Sequence, residues 1–294
     1  MGMPEGQPII DTMIGFPKKD YAVYDFIRKQ TKDAGSDEME FPAEYMFKNV
    51  PKELYGSDDD AVDVTIGEMD RHNIKIGLIG QGGDQYDDAV KRHPDRFVTS
   101  CEVDPNDIMG TLRKIEDAYE SGPLRAITAF PSGCNPQVPI DDRRFYPVYA
   151  KCVELDLPIF VCAGIPGPRL PFAPQEVARI DQVMYDFPEL TFVTRHGCEP
   201  WQDLAVKLML KWPNLYYSTS AFAPKHYPKA ILDYANTRGS DKVIYAGYFP
   251  MGLSIERIMS DMQNVPLKDE VWPKFLYENA AKVLKIDTNP PGAS

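Results

Sequence analysis

The stretch Asp141–Gly164, DDRRFYPVYAKCVELDLPIFVCAG, contains a helix pattern followed directly by a strand pattern. Apolar residues recur at helical spacing over Asp141–Leu155, and the next run, Pro158–Cys162, is continuously apolar. A strand that is apolar throughout needs cover on both faces, as strands have in a parallel sheet surrounded by helices. This stretch therefore predicts one unit of an α/β fold.

The same alternation extends along the chain. Helix patterns also cover Pro174–Tyr185 and Trp201–Leu210. Eight strands in all match a closed (β/α)8 TIM barrel; an open doubly wound sheet is the alternative, although G-x-G-x-x-G is missing after the first strand. The other seven strand-like runs are Pro8–Thr12, Lys75–Ile79, Phe97–Val103, Arg125–Phe130, Leu190–Thr194, Leu215–Ser218 and Lys242–Ala246.

Length and local composition indicate one domain over residues 1–287, because α/β barrels of about 250 residues fold as single units. Residues 17–60 are rich in Lys, Asp, Pro and aromatics and form a long insertion after the first strand. Long loops inside compact domains tend to be functional, and the aromatics favour an ordered lid. Residues 288–294, TNPPGAS, read as a flexible tail.

Charge and cysteine content exclude several classes of protein. The net charge of −12 argues against nucleic acid or an anionic membrane as a partner. No apolar run is long enough to span a bilayer, and no secretory signal stands at the start of the sequence. Five cysteines without a CxxC pair are typical of reduced thiols. We therefore expect a soluble, cytoplasmic protein with a small-molecule partner; a homodimer is plausible, although no sequence feature demonstrates it.

Six motifs, in order and spacing, resemble the amidohydrolase-related family that includes aminocarboxymuconate-semialdehyde decarboxylase and other aromatic-acid decarboxylases. The likeness runs from Ile9 to about Asp287 and implies a TIM barrel and an enzyme that decarboxylates or hydrolyses its substrate. The motifs are IIDTMIGFP, DRFVTSCEVDPND, DDRRFYPVYAKCVELDLPIFVCAG, TFVTRHGCEPW, DKVIYAGYFP and YENAAKVLKI.

The family's metal ligands are mostly replaced in this chain. The resemblance implies Asp-x-His-x-His on the first strand, one His each on the fifth and sixth, and an Asp on the eighth. Met13 and Gly15 stand at the first two His positions and Cys162 at the fifth-strand His. Asp11 and His196 match, while Tyr248 stands where the Asp of the eighth strand would be. Since a catalytic metal usually takes three protein ligands, we predict no metal site and no cofactor.

His196, Cys162 and Tyr248 are the catalytic candidates. Cys162 and His196 end adjacent strands, so the thiol could pair with the imidazole, or His196 could act alone as an acid–base group. Glu199 could orient the imidazole, and the Tyr248 hydroxyl could donate to a developing oxyanion. The alternative reading of Cys162 is a small buried core residue.

Further residues are candidates for substrate binding. Strand alternation predicts that Arg195 points away from the barrel interior. Arg169, after the GIPGP turn, could hold a carboxylate or could be an exposed loop residue. The remaining candidates, which sit beside the motif positions and supply a carboxylate, an apolar side chain or an aromatic wall, are Asp11, Met13, Trp201 and Phe249.

Three functions remain open at this point. The favoured one is a metal-independent enzyme that hydrolyses or decarboxylates a small, largely apolar, ring-derived carbonyl or carboxylate, with His196 as the acid–base group. The second is a non-catalytic barrel that binds a small molecule, and the third is a metal hydrolase with replaced ligands such as Cys162, His196 and Glu199.

Overall fold

Eight parallel strands form one sheet in chain order, each paired with the next. The computed structural model describes residues 2–47, 50–54, 58–82 and 84–287. The strands are β1 (Ile9–Asp11), β2 (Ile74–Gly80), β3 (Phe97–Val103), β4 (Leu124–Ala129), β5 (Ile159–Cys162), β6 (Phe192–Arg195), β7 (Leu215–Ser218) and β8 (Val243–Ile244).

A helix follows every strand and covers the outer face of the sheet. The helices are α1 (Asp25–Arg28), α2 (Ala34–Asp37), α3 (Ala61–Arg71), α4 (Asp84–Arg92), α5 (Ile108–Ser121), α6 (Tyr146–Glu154), α7 (Ile180–Asp186), α8 (Gln202–Lys211), α9 (Lys229–Ala235), α10 (Ile255–Met262) and α11 (Asn279–Leu284), the last preceded by a π-helical turn at Lys274–Glu278. Each of the seven connections between consecutive strands contains one of the helices α3 to α9. Helices α1 and α2 lie in the insertion after β1, and α10 and α11 follow β8.

The barrel closes between β8 and β1. The Thr12 hydroxyl donates to the Tyr245 carbonyl at 2.8 Å, and the Tyr248 amide donates to the Met13 carbonyl at 2.8 Å. Just beyond the strands, Ile14 and Phe249 form a parallel bridge. These contacts join the strand ends of β1 and β8, so the sheet curls round to meet itself at this seam. The predicted (β/α)8 TIM barrel is confirmed.

Alternate residues along each strand point into the barrel, as the period of a strand requires. The seven innermost of them are buried and form one cluster, against which Ala280 and Leu284 of α11 pack. Lys285, just after α11, donates to the carbonyl of Asp156, which lies before β5, so α11 covers the end where the strands begin. The opposite end is left for the site. The seven inward-pointing strand residues of this cluster are Ile10, Leu78, Ala126, Phe160, Val193, Tyr216 and Ile244.

The insertion after β1 folds over the ends of the strands. Within residues 17–60 the structure describes α1, α2 and three short 3₁₀ turns. Phe41 and Val50 are buried against Met251, which follows β8, and Phe47 packs on the Tyr248 ring with centroids 5.8 Å apart. The insertion is thus packed on the loop after β8. The tail predicted at residues 288–294 lies outside the described residues.

The described helices are all too short or too polar to cross a membrane. The five cysteines are all buried and free, which agrees with the absence of a disulfide framework in the sequence pattern.

Candidate active site

A cavity of about 300 Å³ opens where the strands end, between the barrel and the insertion. Its walls are mostly apolar and aromatic, and only two charged residues, Glu102 and Arg195, are among the described residues that line it. Such a cavity can take a small ligand with an apolar body. The barrel contributes Met13, Glu102, Phe130, Cys162, Arg195, His196, Phe222 and Tyr248, and the insertion contributes Val23, Tyr24, Phe26, Ile27, Phe41, Met46 and Phe47.

Arg195 and His196 both reach this cavity although they are adjacent in sequence. Arg195 has the same inward orientation as Val193 on β6, and it pairs in register with Cys162 on β5. His196 has φ of 60°, in the left-handed region, so the strand's alternation ends there and its ring also faces the cavity. The prediction that Arg195 points away from the interior is wrong, because alternation holds only while the residues stay extended.

The His196 ring is fixed by Ser220, which follows β7. The His196 amide donates to Ser220 Oγ at 2.9 Å, and the same oxygen lies 3.2 Å from Nδ1. The Ser220 hydroxyl is fully buried, and His196 is its only hydrogen-bond partner in the part of the chain that the structure describes. Donation of its hydrogen to Nδ1 satisfies it and favours the tautomer with the proton on Nε2. Burial and the charge of Arg195 hold the pKa of His196 well below its usual range, so the ring is neutral.

Tyr248 lies beside His196, with ring centroids 5.0 Å apart. Its φ of 75° is costly for a bulky residue, about 1–3 kcal/mol, and such strain tends to occur at functional sites. Burial raises the pKa of Tyr248 to about 12, so its hydroxyl stays protonated and can donate. Its hydroxyl hydrogen-bonds to none of the residues described.

Cys162 lines the cavity but is not paired with His196. Its register partner is Arg195, and among the described residues no hydrogen bond joins its sulfur to the imidazole. Burial raises the pKa of the thiol to about 12, with Arg195 opposing the rise and Glu102 adding to it. A thiol that stays protonated is a weak nucleophile. Register sets Cys162 opposite the residue before the histidine, and no described contact forms the predicted Cys162–His196 dyad.

Glu102 is a site residue that the sequence analysis missed. It lies on β3 with the inward orientation of Val98 and Ser100, and its carboxylate lines the cavity. Its charge acts to raise the pKa of both Cys162 and Tyr248, which places it near them. The signal was present in the motif DRFVTSCEVDPND, where an acidic residue interrupts an otherwise uncharged strand.

Two of the predicted binding residues, Asp11 at the end of β1 and Met13 just after it, have different surroundings. Met13 lines the cavity, and its sulfur accepts a hydrogen bond from Arg195 at 3.3 Å. Asp11 is fully buried in the barrel wall, outside the lining of the cavity. Its Oδ1 accepts from the amides of Met13 and Gly247, each at 2.9 Å, so it ties β1 to the loop after β8.

The remaining four candidates surround the cavity without lining it. Arg169 pairs with Asp33 of the insertion and stacks on Tyr45, so its charge is already matched. Trp201 packs on Phe172 with ring centroids 5.6 Å apart, and Phe249 is buried in the core. Glu199 is half-buried, which raises its pKa, and no described contact joins its carboxylate to His196.

The family model described as amidohydrolase matches residues 28–286. The chain belongs to the amidohydrolase family. No curated protein matches the sequence. Among solved structures, this amidohydrolase is similar to an uncharacterized TIM-barrel protein, Bb4693 from Bordetella bronchiseptica, with 22% identity, a TM-score of 0.76 and coverage of 95% of this chain and 98% of that one.

Two decarboxylases have the same fold. A 5-carboxyvanillate decarboxylase from Sphingomonas paucimobilis aligns at 17% identity with a TM-score of 0.68, over 96% of this chain and 100% of its own. A second, from Novosphingobium aromaticivorans and solved with bound manganese, aligns at 18% identity with a TM-score of 0.67, over 96% of this chain and 98% of its own. At these identities the likeness establishes the fold.

The donors at the centre of this amidohydrolase do not fit a divalent metal. Within residues 2–47, 50–54, 58–82 and 84–287, no three His, Cys, Asp or Glu side chains are grouped closely enough to hold one. Cys162 and Tyr248 keep their protons, Met13 is a soft thioether, and a guanidinium already lies against that thioether. Arg195 is the cationic side chain among the described residues that line this cavity.

Proposed function

We propose that this amidohydrolase is a metal-independent hydrolase of a small, largely apolar, ring-derived carbonyl compound. The observation that carries the proposal is the meeting of two neutral donors, His196 and Tyr248, with the carboxylate of Glu102 in one apolar cavity. Hydrolysis of a carbonyl needs a group that polarises its oxygen and a group that activates water.

His196 and Tyr248 supply the first requirement. Nε2 of the tautomer favoured by Ser220 and the Tyr248 hydroxyl are both donors, and neither hydrogen-bonds to another described residue. Two donors aimed at one carbonyl oxygen stabilise the negative charge that develops there when water adds. In the described site they take the part that a Lewis-acidic metal plays in metal-dependent hydrolases.

Glu102 supplies the second requirement, a group that activates water. When the water oxygen bonds to the carbonyl carbon, its proton passes to the Glu102 carboxylate and the carbonyl oxygen becomes an oxyanion held by His196 and Tyr248. The bond to the leaving oxygen then breaks, and that oxygen takes the proton held by Glu102, while Nε2 of His196 keeps its own proton and donates a hydrogen bond to the oxyanion throughout. Glu102 is a carboxylate again at the end, so the cycle balances.

Decarboxylation is the second candidate, because the solved relatives that resemble this chain include 5-carboxyvanillate decarboxylases. It would use the same donors to stabilise charge in the ring as carbon dioxide leaves. The two reactions are separated by their products, a new acid and alcohol in one case and carbon dioxide in the other.

The test uses 4-acetoxybenzoate as an ester probe and 2,6-dihydroxybenzoate as a decarboxylation probe. We expect ester cleavage by the wild type and a loss of at least about a hundredfold in His196→Ala, in line with the usual contribution of one hydrogen-bond donor to an oxyanion. The matched control is His226→Ala, since His226 is exposed on a turn after β7 and should leave the rate unchanged.

Circular dichroism and thermal unfolding of both variants establish that the fold is kept. Full activity in folded His196→Ala would remove the central claim. Carbon dioxide release without ester cleavage would replace hydrolysis by decarboxylation, and tight binding of both probes without turnover of either would identify a binding barrel.

A further inference from the structure

Arg195 is a cation without a counterion in an apolar cavity. Among the described residues no Asp or Glu carboxylate forms an ion pair with it, and its hydrogen-bond acceptor is the thioether sulfur of Met13. A thioether is a weak acceptor, and Nε of Arg195 is buried without any partner in the described chain. A guanidinium in such surroundings lacks the charge-assisted partner that normally accompanies it.

The other described guanidinium near the cavity shows the usual arrangement. Arg169, at the mouth, is matched by the carboxylate of Asp33 and by the ring of Tyr45. Glu102 lines the same cavity as Arg195, yet the two form no ion pair. The charge of Arg195 is therefore left for a ligand.

We propose that Arg195 binds a carboxylate group of the ligand, with an aromatic or similarly flat apolar body lying against the walls of the cavity. A guanidinium presents a planar pair of N–H donors that matches the two oxygens of a carboxylate. Phe130, Phe222 and the insertion residues Phe47 and Met46 form the apolar walls. The volume of about 300 Å³ suits a ligand of one or two rings.

The position of Arg195 also limits the chemistry. A carboxylate held by a fixed cation is stabilised as an anion, so this group anchors the ligand and is not the one that leaves as carbon dioxide. The inference rests on the proposed function only in placing the ligand in the same cavity, since binding can be measured without turnover.

The experiment is calorimetric titration with 2-naphthoate, its neutral isostere 2-naphthamide, and inorganic phosphate. We expect wild-type protein to bind naphthoate roughly ten- to a hundredfold more tightly than naphthamide, the range for a charge-assisted contact. Arg195→Met keeps the length of the side chain and removes its charge, and should abolish that preference. Arg169→Met is the matched control and should keep it.

Equal affinity of the wild type for naphthoate and naphthamide would overturn the inference, whether or not Arg195→Met folds. Phosphate binding as tight as naphthoate would also overturn it, because the site would then be a plain anion site. Arg195→Lys provides a second variant that keeps the charge, and it should keep part of the preference. If His196→Ala binds naphthoate normally and the wild type shows no turnover, this inference stands while the proposed hydrolysis fails.

Discussion

Ser220 Oγ lies 2.9 Å from the backbone nitrogen of His196 and 3.2 Å from Nδ1 of the same residue. One buried hydroxyl thus accepts from the main chain and contacts the ring of His196, the residue that follows β6. It holds His196 in a left-handed backbone conformation and decides which ring nitrogen carries the proton.

Ser220→Ala should therefore weaken catalysis while leaving substrate affinity intact. Without the hydroxyl, Nδ1 loses its donor and the ring is free to adopt the other tautomer, so we expect kcat to fall by about ten- to a hundredfold with KM nearly unchanged. The control is Ser218→Ala, a buried serine that ends β7 and has no described hydrogen bond to His196. Equal kcat in the wild type and Ser220→Ala would contradict the positioning role.

Tyr248→Phe tests the second donor. The substitution removes only the hydroxyl and keeps the ring contacts with His196 and Phe47. Loss of one donor to a developing oxyanion usually lowers kcat by about a hundred- to a thousandfold. A rate within about threefold of the wild type, measured with the same ester, would show that His196 and backbone donors suffice.

Metal content tests the prediction that the protein holds no divalent cofactor. We expect less than about a tenth of an equivalent of zinc, manganese or iron per chain by elemental mass spectrometry, since the donor set lacks three convergent ligands. Turnover should be unchanged after prolonged chelation and dialysis. Near-stoichiometric metal, lost together with activity on chelation, would contradict the prediction and point to ligands recruited by movement of Cys162, His196 or Glu199.

Cys162→Ser distinguishes a covalent route from simple packing. With its pKa raised to about 12, the thiol is protonated at neutral pH, so we expect the variant to keep activity within about threefold. Iodoacetamide at pH 7.5 should leave Cys162 unmodified in mass spectra of tryptic peptides. Rapid alkylation that abolishes turnover and is prevented by substrate would restore the thiolate as a nucleophile.

The barrel could be predicted from the sequence because each strand is a run of apolar residues, a signal that depends on local composition. Pro158–Cys162 was predicted and Ile159–Cys162 is found. The meeting of Met13, Cys162, His196 and Tyr248 also followed from the sequence, because all strands of a parallel barrel end at the same face.

Other parts of the site depend on information that a strand pattern does not contain. Arg195 and His196 are adjacent in sequence and both face the cavity because His196 has a positive φ, which ends the strand's alternation at that residue. The pairing of Arg169 with Asp33 joins positions 136 residues apart, and nothing local marks it. Glu102 could have been found by asking why a charged residue occupies an inward position of β3.

Asp11 makes stability depend on pH in a direction opposite to most carboxylates. Burial raises its pKa from 3.8 to about 7, although the amides of Met13 and Gly247 oppose the rise. The folded state therefore binds a proton more tightly than the unfolded chain. The contribution of Asp11 to stability is complete below pH 3.8 and is lost as pH rises through about 7, a difference of roughly 4 kcal/mol.

Asp11→Asn should remove this dependence. The amide oxygen can still accept from Met13 and Gly247, and the side chain no longer ionises. At pH 8.5 we expect the variant to be more stable than the wild type by about 1–4 kcal/mol in urea unfolding, and at pH 5, which is still above the unfolded pKa of 3.8, we expect the gap to narrow by about half. Asp11→Leu, which offers no acceptor to the two amides, should be less stable than Asp11→Asn by about 1–3 kcal/mol at both pH values. A difference between wild type and Asp11→Asn that is the same at pH 5 and pH 8.5 would show that Asp11 ionises normally, and the seam between β1 and β8 would then have to hold a buried charge.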